Sequence, residues 1–520
     1  MSPRIDATSA LLPGTADPRA QGFDAPADAP TLLDLASATP RPWPVASDVA
    51  LAVVVFVAHL IIADGYYSVL TRACSGAEAA LLVLLITRYV RVQPPRLPWL
   101  EFLFGVYYTQ FGLPTIGEPT PIGFARVLPS KDSFDFAAVL ALACGLALIG
   151  GFALGLVLFK KVSADRFLPR IDIDTLVRGS PVHLGLAAIY ILGTTFVPSA
   201  HQALLSIANF ASALLDRTPI AIVAVLAYLL RPQMRSALQL LGAFAVLAIG
   251  LAVSSMLNEA LLPLAAMGTL WWRGRGRFPW LAGGAAALLM LVLQPVKGFY
   301  REIHWHDPTT SVVESWQRAF SESNDYARSS FSDRPVGAQA SVSRLGELPG
   351  LAYTVEVVPN SIPHTGGQVY GMLVVGAIPR FLWPEKPDMT KYALDPFTIA
   401  LGLTSETEAA TSTTGITLPA QGYLEHGMAG SLAWMTLLGL VAAFVSRYFG
   451  SKLAGTLSGA SCLMPLGLAS GGGFSSCFGS MWQTLLGGTL LAWFVWALGR
   501  GWTSAAATRT VVDEGARPSS

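Results

Sequence analysis

Charge and cysteine are what this sequence has least of. Only 13% of its 520 residues are Asp, Glu, Lys or Arg, and the formal net charge is +1, which excludes the strongly basic footprint of a nucleic-acid binder. No G-x-x-x-x-G-K-[ST] run is present, so the phosphate-cradling loop of an ATP-driven transporter is missing. There are four cysteines, Cys74, Cys144, Cys462 and Cys477. With no close pairing they form neither a zinc pattern nor a disulfide framework, and they read as small apolar packing residues. Ionisable groups deep in the apolar stretches are scarce as well. His59 lies inside one, Glu101 and Glu259 lie near the ends of others, and His201 is close to a boundary; no relay of the kind a proton- or sodium-coupled transporter uses threads them. The first 45 or so residues, rich in Ala, Pro and Asp, lack the basic start and small-residue cleavage site of a signal peptide.

What the chain does have is apolar length. Hydrophobic residues make up 52% of it, in runs near the ~20 residues that cross a bilayer. Twelve runs are expected, near 47–70, 75–90, 97–116, 134–159, 183–203, 212–231, 236–255, 257–272, 279–298, 425–447, 455–472 and 478–498. The fold class expected is an all-α polytopic integral membrane protein. Its segments are a tail (1–46), nine helices (47–298), one large outer loop (299–424), three helices (425–498) and a second tail (499–520). Basic residues sort the connections, because short cytoplasmic loops collect Lys and Arg. Even-numbered runs exit into Arg88, Arg91 and Arg96, then Lys160, Lys161, Arg166, Arg170 and Arg178, then Arg231 and Arg235, then Arg273, Arg275 and Arg277, then Arg447 and Lys452. The short odd-numbered exits hold only Arg72, Arg126, Lys131 and Arg217. Both termini are therefore expected in the cytoplasm, and the 299–424 block outside it, in the periplasm if the membrane is the inner membrane of a bacterium.

That block is far longer than an ordinary helix connection, so function is expected there. Within it, Val369 to Ile378 is about half a span and reads as re-entrant or interfacial. Leu345, Leu348, Leu351, Ala352 and Val355 recur at helical spacing, which suits either a helix on the membrane face or one packed on other residues of the loop. Arg380 and Lys386 bracket a rigid aromatic-proline stretch; a planar guanidinium and a compact ammonium there suit either the diphosphate of a lipid carrier or simple interfacial anchoring. His364, in a turn-prone stretch, and Glu425 and His426, where the tenth run begins, suit helix capping or the binding of interfacial water. Trp305, Trp316, Trp383, Tyr300, Tyr370 and Tyr423 fit either a sugar-stacking surface or an interfacial aromatic belt. Two motifs carry weaker metal readings: Asp172-Ile173-Asp174, a D-x-D without a nucleotide-binding domain, and His304-Trp305-His306-Asp307, with only two imidazoles and a carboxylate.

Three stretches carry a resemblance. Ile378 to Pro387 (IPRFLWPEKP), Lys297-Gly298-Phe299-Tyr300-Arg301, and Gly422-Tyr423-Leu424-Glu425-His426-Gly427 with Gly430 resemble segments of the Wzy-type oligosaccharide repeat-unit polymerases of O-antigen and exopolysaccharide pathways. The similarity covers roughly residues 50 to 500; Asn258-Glu259 departs from it, standing where many relatives open a span with a basic residue. The resemblance implies a GT-C-like, metal-independent glycosyltransferase that needs no cofactor. Its donor and acceptor would be undecaprenyl-diphosphate-linked oligosaccharides, and it would work among membrane lipids beside a flippase and a chain-length regulator. It also implies Arg301, Arg380, His364, Glu425 and His426 as catalytic candidates, the last three as alternatives for the base that takes the acceptor hydroxyl's proton, with Lys386, Trp383, Tyr423, Tyr370 and Arg344 binding substrate. An O-antigen ligase and a lipid-linked oligosaccharide flippase are the alternatives.

Overall fold

The computed structural model describes residues 45–92, 97–119, 128–196, 211, 214–254, 257–275, 296, 299–300, 303, 312–330, 346–367, 375, 378, 382–383, 385–387, 395–406, 416–450, 452–467 and 485–501. Among these the regular elements are helical. They are α1 (Val45–Ile62), α2 (Val69–Val92), α3 (Trp99–Phe111) with a 3-10 turn (Leu113–Ile116), α4 (Lys131–Leu158), α5 (Ile173–Phe196), α6 (Arg217–Leu230), α7 (Met234–Ser254), α8 (Leu257–Arg275), α9 (Val312–Ser330), α10 (Leu348–Val357), α11 (Asp395–Ala400), α12 (Leu418–Phe449), α13 (Leu453–Gly467) and α14 (Leu485–Gly501). Five of them, α1, α2, α4, α5 and α12, are long and apolar enough to cross a membrane. Their outward faces carry Val53, Val54 and Ile61 on α1 and Leu146, Leu154 and Val157 on α4, all exposed; so much exposed apolar surface is what lipid, not water, would cover.

Helices occupy eleven of the twelve expected runs, and the 279–298 run, Val296 apart, lies outside the described residues. Boundaries moved where a polar side chain took over the backbone. Asp64 accepts the Tyr66 N–H at 2.7 Å, a local turn that ends α1 at Ile62 and starts α2 six residues before expectation. Asp172 accepts the Thr175 N–H at 2.6 Å, capping α5 ten residues early. Asp174 of the same D-x-D pairs with Arg231 at 2.7 Å and more loosely with Arg178. Both carboxylates of that motif thus hold helix ends.

The long helices α4 and α12 run parallel and nearly touch. A Cβ on Gly151 or Gly439 would overlap the facing backbone, at Thr436 and Leu148, and one on Gly155 would come within 2.6 Å of the Ala443 Cβ. Gly151 and Gly155 form a G-x-x-x-G pair with Gly439 set against it, the small-residue contact that lets membrane helices approach. α6 is buried on nearly every side from Pro219 to Leu229.

The two ends of the bundle differ in charge. At one end Arg91 pairs with Asp48 (2.6 Å) and Lys452 with Asp165 (3.0 Å), while Arg447 reaches the Leu156 carbonyl (3.2 Å). At the other end lies α10, whose Leu348, Leu351 and Ala352 are buried in the main core. The stretch is a packed helix, and its main partners are α4 and α12 rather than other residues of the outer block. Its Glu356 carboxylate accepts the Ser130 N–H at 2.7 Å, at the start of α4, which holds that carboxyl below the usual carboxylate range. At the other end of α10 the Glu347 N–H donates to the Gln110 carbonyl at 2.7 Å, and burial pushes the Glu347 carboxyl up to about 7.

Candidate functional site

The site is made by a helix that folds back on itself. α12 begins with Thr417, whose hydroxyl caps it by accepting the Ala420 N–H at 3.3 Å, and with Pro419 in the first turn. After two turns the helix breaks at His426 (φ −143°, ψ 25°) and Gly427 (φ 63°, ψ −151°). A positive φ of this kind is cheap for glycine and costly for any other residue. Beyond the break the chain returns across the first turns at a glycine contact: a Cβ on Gly422 would meet Ser431 Cα and N at 2.7 Å. The Ser431 hydroxyl donates to the Pro419 carbonyl at 2.7 Å, fastening the crossing.

Glu425 is the clasp of this fold-back. It is fully buried, accepting from Gln421 Nε2 at 3.2 Å on the short segment and from Trp434 Nε1 at 3.1 Å on the long one. A carboxylate so enclosed and so engaged suits holding the two segments together better than taking a proton from a substrate.

His364 has the opposite character. It is exposed, in a loop that α10 delivers and that ends in Gly366 (φ 65°) and Gly367 (φ 81°). Thr365 and Gly366 donate their N–H groups to the Leu424 and Glu425 carbonyls at 3.1 and 3.2 Å. The loop therefore caps the short segment's last turn. His364 Nδ1 lies 3.3 Å from the same Leu424 carbonyl. A carbonyl only accepts, so in the neutral ring Nδ1 carries the hydrogen and Nε2 presents a lone pair. The Cε1–Nε2 edge faces Gly427, where a Cβ would touch it at 3.6 and 3.7 Å, so glycine leaves that edge of the ring uncovered. Tyr423 packs edge-on against His364 with ring centroids 6.1 Å apart and, on its other side, against Phe136 of α4. His426, exposed, stands at the break itself.

Four residues expected from sequence, His364, Tyr423, Glu425 and His426, are thus brought to one corner. Lys386 is buried and its ammonium donates to the Ile378 carbonyl at 2.9 Å, closing the loop that contains Arg380 in sequence; Trp383 is partly exposed in the same loop, its carbonyl accepting the Lys386 N–H. Arg301, Arg380, Arg344 and Tyr370 lie outside the described residues, as do His304 to Asp307, Trp305 and most of the Val369–Ile378 stretch. Tyr300 and Trp316 pack against each other at 4.6 Å in a small apolar cluster with Val296 and Ala319, which makes Tyr300 a core residue. Among the described residues no group of three His, Cys, Asp or Glu is placed to hold a metal. Sequence reasoning missed Gln421 and Trp434 as partners of Glu425. The i, i+4 spacing of Gln421 to Glu425 was a usable signal; the Trp434 contact depends on the break.

This chain belongs to the family described as Domain of unknown function (DUF8712), whose model matches residues 191–485, more than half of its length. The matched region includes the fold-back, the His364 loop and α10. No curated protein and no solved structure matches this chain.

Proposed function

We propose that this chain is a membrane-embedded glycosyltransferase that polymerises lipid-diphosphate-linked oligosaccharide repeat units, with His364 as the base. The observation that carries the reading is the His364 imidazole: exposed, its tautomer set by the Leu424 carbonyl, its Nε2 side kept open by Gly427, and beside an aromatic ring fit to border a sugar. The resemblance of the Ile378–Pro387 and Gly422–Gly430 segments to the repeat-unit polymerases supplies the substrate class. His364 Nε2 takes the proton of an acceptor-sugar hydroxyl as its oxygen attacks the anomeric carbon of the donor. The bond from that carbon to the undecaprenyl diphosphate breaks, and the lipid diphosphate leaves with the electron pair. Arg380 and Arg301 stabilise the charge developing there, an effect of about 3 kcal/mol for each well-placed donor. The architecture proposed with it is twelve crossings of GT-C type in a bacterial inner membrane, both termini cytoplasmic and the catalytic corner periplasmic.

The test is a deletion strain complemented with wild type or variants, read by a polysaccharide gel and a profile of lipid-linked intermediates. His364→Gln and His364→Ala are expected to lose polymer by about a hundredfold or more at normal protein level, with single repeat units left on lipid or on core. Arg380→Ala and Arg301→Ala should do the same, and Arg380→Lys should recover only part because the planar fork is lost. Full-length polymer stranded on the carrier would instead mean a ligase. Single units on the wrong leaflet would mean a flippase, and an unchanged profile would remove the reading altogether.

A further inference from the structure

A carboxyl group inside the apolar thickness of a membrane protein is costly and marks function by default. Glu78, in the third turn of α2, is such a group: it is 1% exposed, and its Oε2 has no hydrogen-bond partner among the described residues. It lies against Gly112, which ends α3; a Cβ added to that glycine would come within 2.8 Å of Oε2. The absent side chain is what leaves the carboxyl its space. The titratable groups facing it are Cys74 of its own helix, Tyr107 and Tyr108 of α3 and Cys144 of α4, with Asp135 beyond Cys74. No lysine or arginine is among them, and Arg72, earlier on α2, turns back to the Ser68 carbonyl.

From this pocket a row of hydrogen bonds leads toward the α1–α2 turn. The Tyr108 ring lies over Gly112, and its hydroxyl donates to His59 Nδ1 at 3.2 Å. His59 Nε2 stands 3.0 Å from Thr115 Oγ1, which donates its own hydrogen to the Gly112 carbonyl at 2.8 Å. With that hydrogen committed, His59 must donate through Nε2 and accept through Nδ1. The Asp64 N–H reaches the Thr115 carbonyl at 2.8 Å, just past the end of α1. His59 and Thr115 each donate and accept here, and a tyrosine hydroxyl is able to do both, which is what passing a proton along a row requires.

We propose that Glu78 is a proton-binding site within the membrane, exchanging with the side of the molecule that carries the α1–α2 turn through His59 and Tyr108. The reaction is a protonation only: the carboxylate takes one proton and becomes a carboxylic acid, with no other bond changed. The Gln110 carbonyl in the last turn of α3 accepts from Glu347, so the helix end above this pocket is also tied to α10, the helix that delivers His364.

Infrared spectroscopy of the full chain in lipid vesicles tests it. In a Glu347→Gln background, which removes the other raised carboxyl, the chain is expected to show near neutral pH a carboxylic-acid C=O stretch that Glu78→Gln removes and that alkaline titration abolishes; the same band after Glu78→Gln, or no such band before it, overturns the proposal. Where Glu78→Gln does not fold, Glu78→Asp serves: the band must shift, and an unshifted band overturns it. In deuterium oxide, His59→Ala and Tyr108→Phe are expected to slow exchange at this band, and unchanged exchange in both would overturn the route. Neither readout depends on glycosyl transfer, so it stands or falls apart from the proposed activity.

Discussion

At the scale of single residues, environment separates acids and bases that look alike in sequence. Glu347 and Glu356 bound the same short helix, yet burial raises one and the Ser130 N–H lowers the other. The two therefore act on stability with opposite sign. The protonated form of Glu347 favours the fold fully below the ordinary carboxyl value of 4.5, and this contribution is lost as pH rises to about 7. At 1.36 kcal/mol per pKa unit that amounts to about 3 kcal/mol at most. Glu356 contributes above 4.5, and its share is lost as pH falls through its lowered value. Denaturant unfolding in detergent across this range should thus show wild type weakening from mildly acid to neutral pH, and Glu347→Gln should flatten that slope. Glu356→Gln should cost about 0.5–1 kcal/mol, the value of an anion at a helix N-terminus, and the cost should vanish in acid. Such contrasts were only partly legible in the sequence. Residue type alone singled out His364, Glu425 and His426, but it could not show that Glu425 is enclosed by Trp434 across a break. Glu78 went unremarked because a lone acid between Ala77 and Ala79 carries no motif.

At the scale of elements, periodicity and length placed the helices, and side-chain chemistry at their ends moved the boundaries. Asp64, Asp172 and Thr417 each bind a nearby N–H and reset a terminus by several residues, an effect that hydropathy does not register. The α4–α12 pairing was equally hidden, since G-x-x-x-G is informative only once a partner glycine such as Gly439 is known to face it. This contact gives a sharp expectation. Gly439→Val or Gly151→Val must push two backbones apart, at about 1–3 kcal/mol each, whereas valine at Gly150, which has nothing within 4 Å, should be tolerated. Thermal unfolding followed by tryptophan fluorescence in detergent would rank the three. Equal loss at Gly150 would mean that glycine is needed there for a reason other than helix approach.

At the scale of the whole molecule, the proposed activity depends on which end faces which compartment. Charge counting in the connections assigned the basic exits to one side, and the structure gathers them: Arg91, Arg447 and Lys452 meet their partners at the end of the bundle away from α10, His364 and the α12 break. The sorting was legible because it depends on composition, which survives without knowledge of packing; the fold-back was not, because Gly422 and Gly430 meet only through tertiary contact. Orientation then decides chemistry, since a lipid-diphosphate glycan polymerised outside the cytoplasm requires the His364 corner to face outward. In a cysteine-free background, Asn360→Cys at the exposed end of α10 and Arg166→Cys in the basic connection after α4 report the two ends. A membrane-impermeant thiol reagent added to intact cells is expected to label Asn360→Cys at once and Arg166→Cys only after the membrane is opened. The reverse pattern would place His364 in the cytoplasm, where a periplasmic repeat-unit polymerase could not work, and would remove that reading without any assay of sugar transfer.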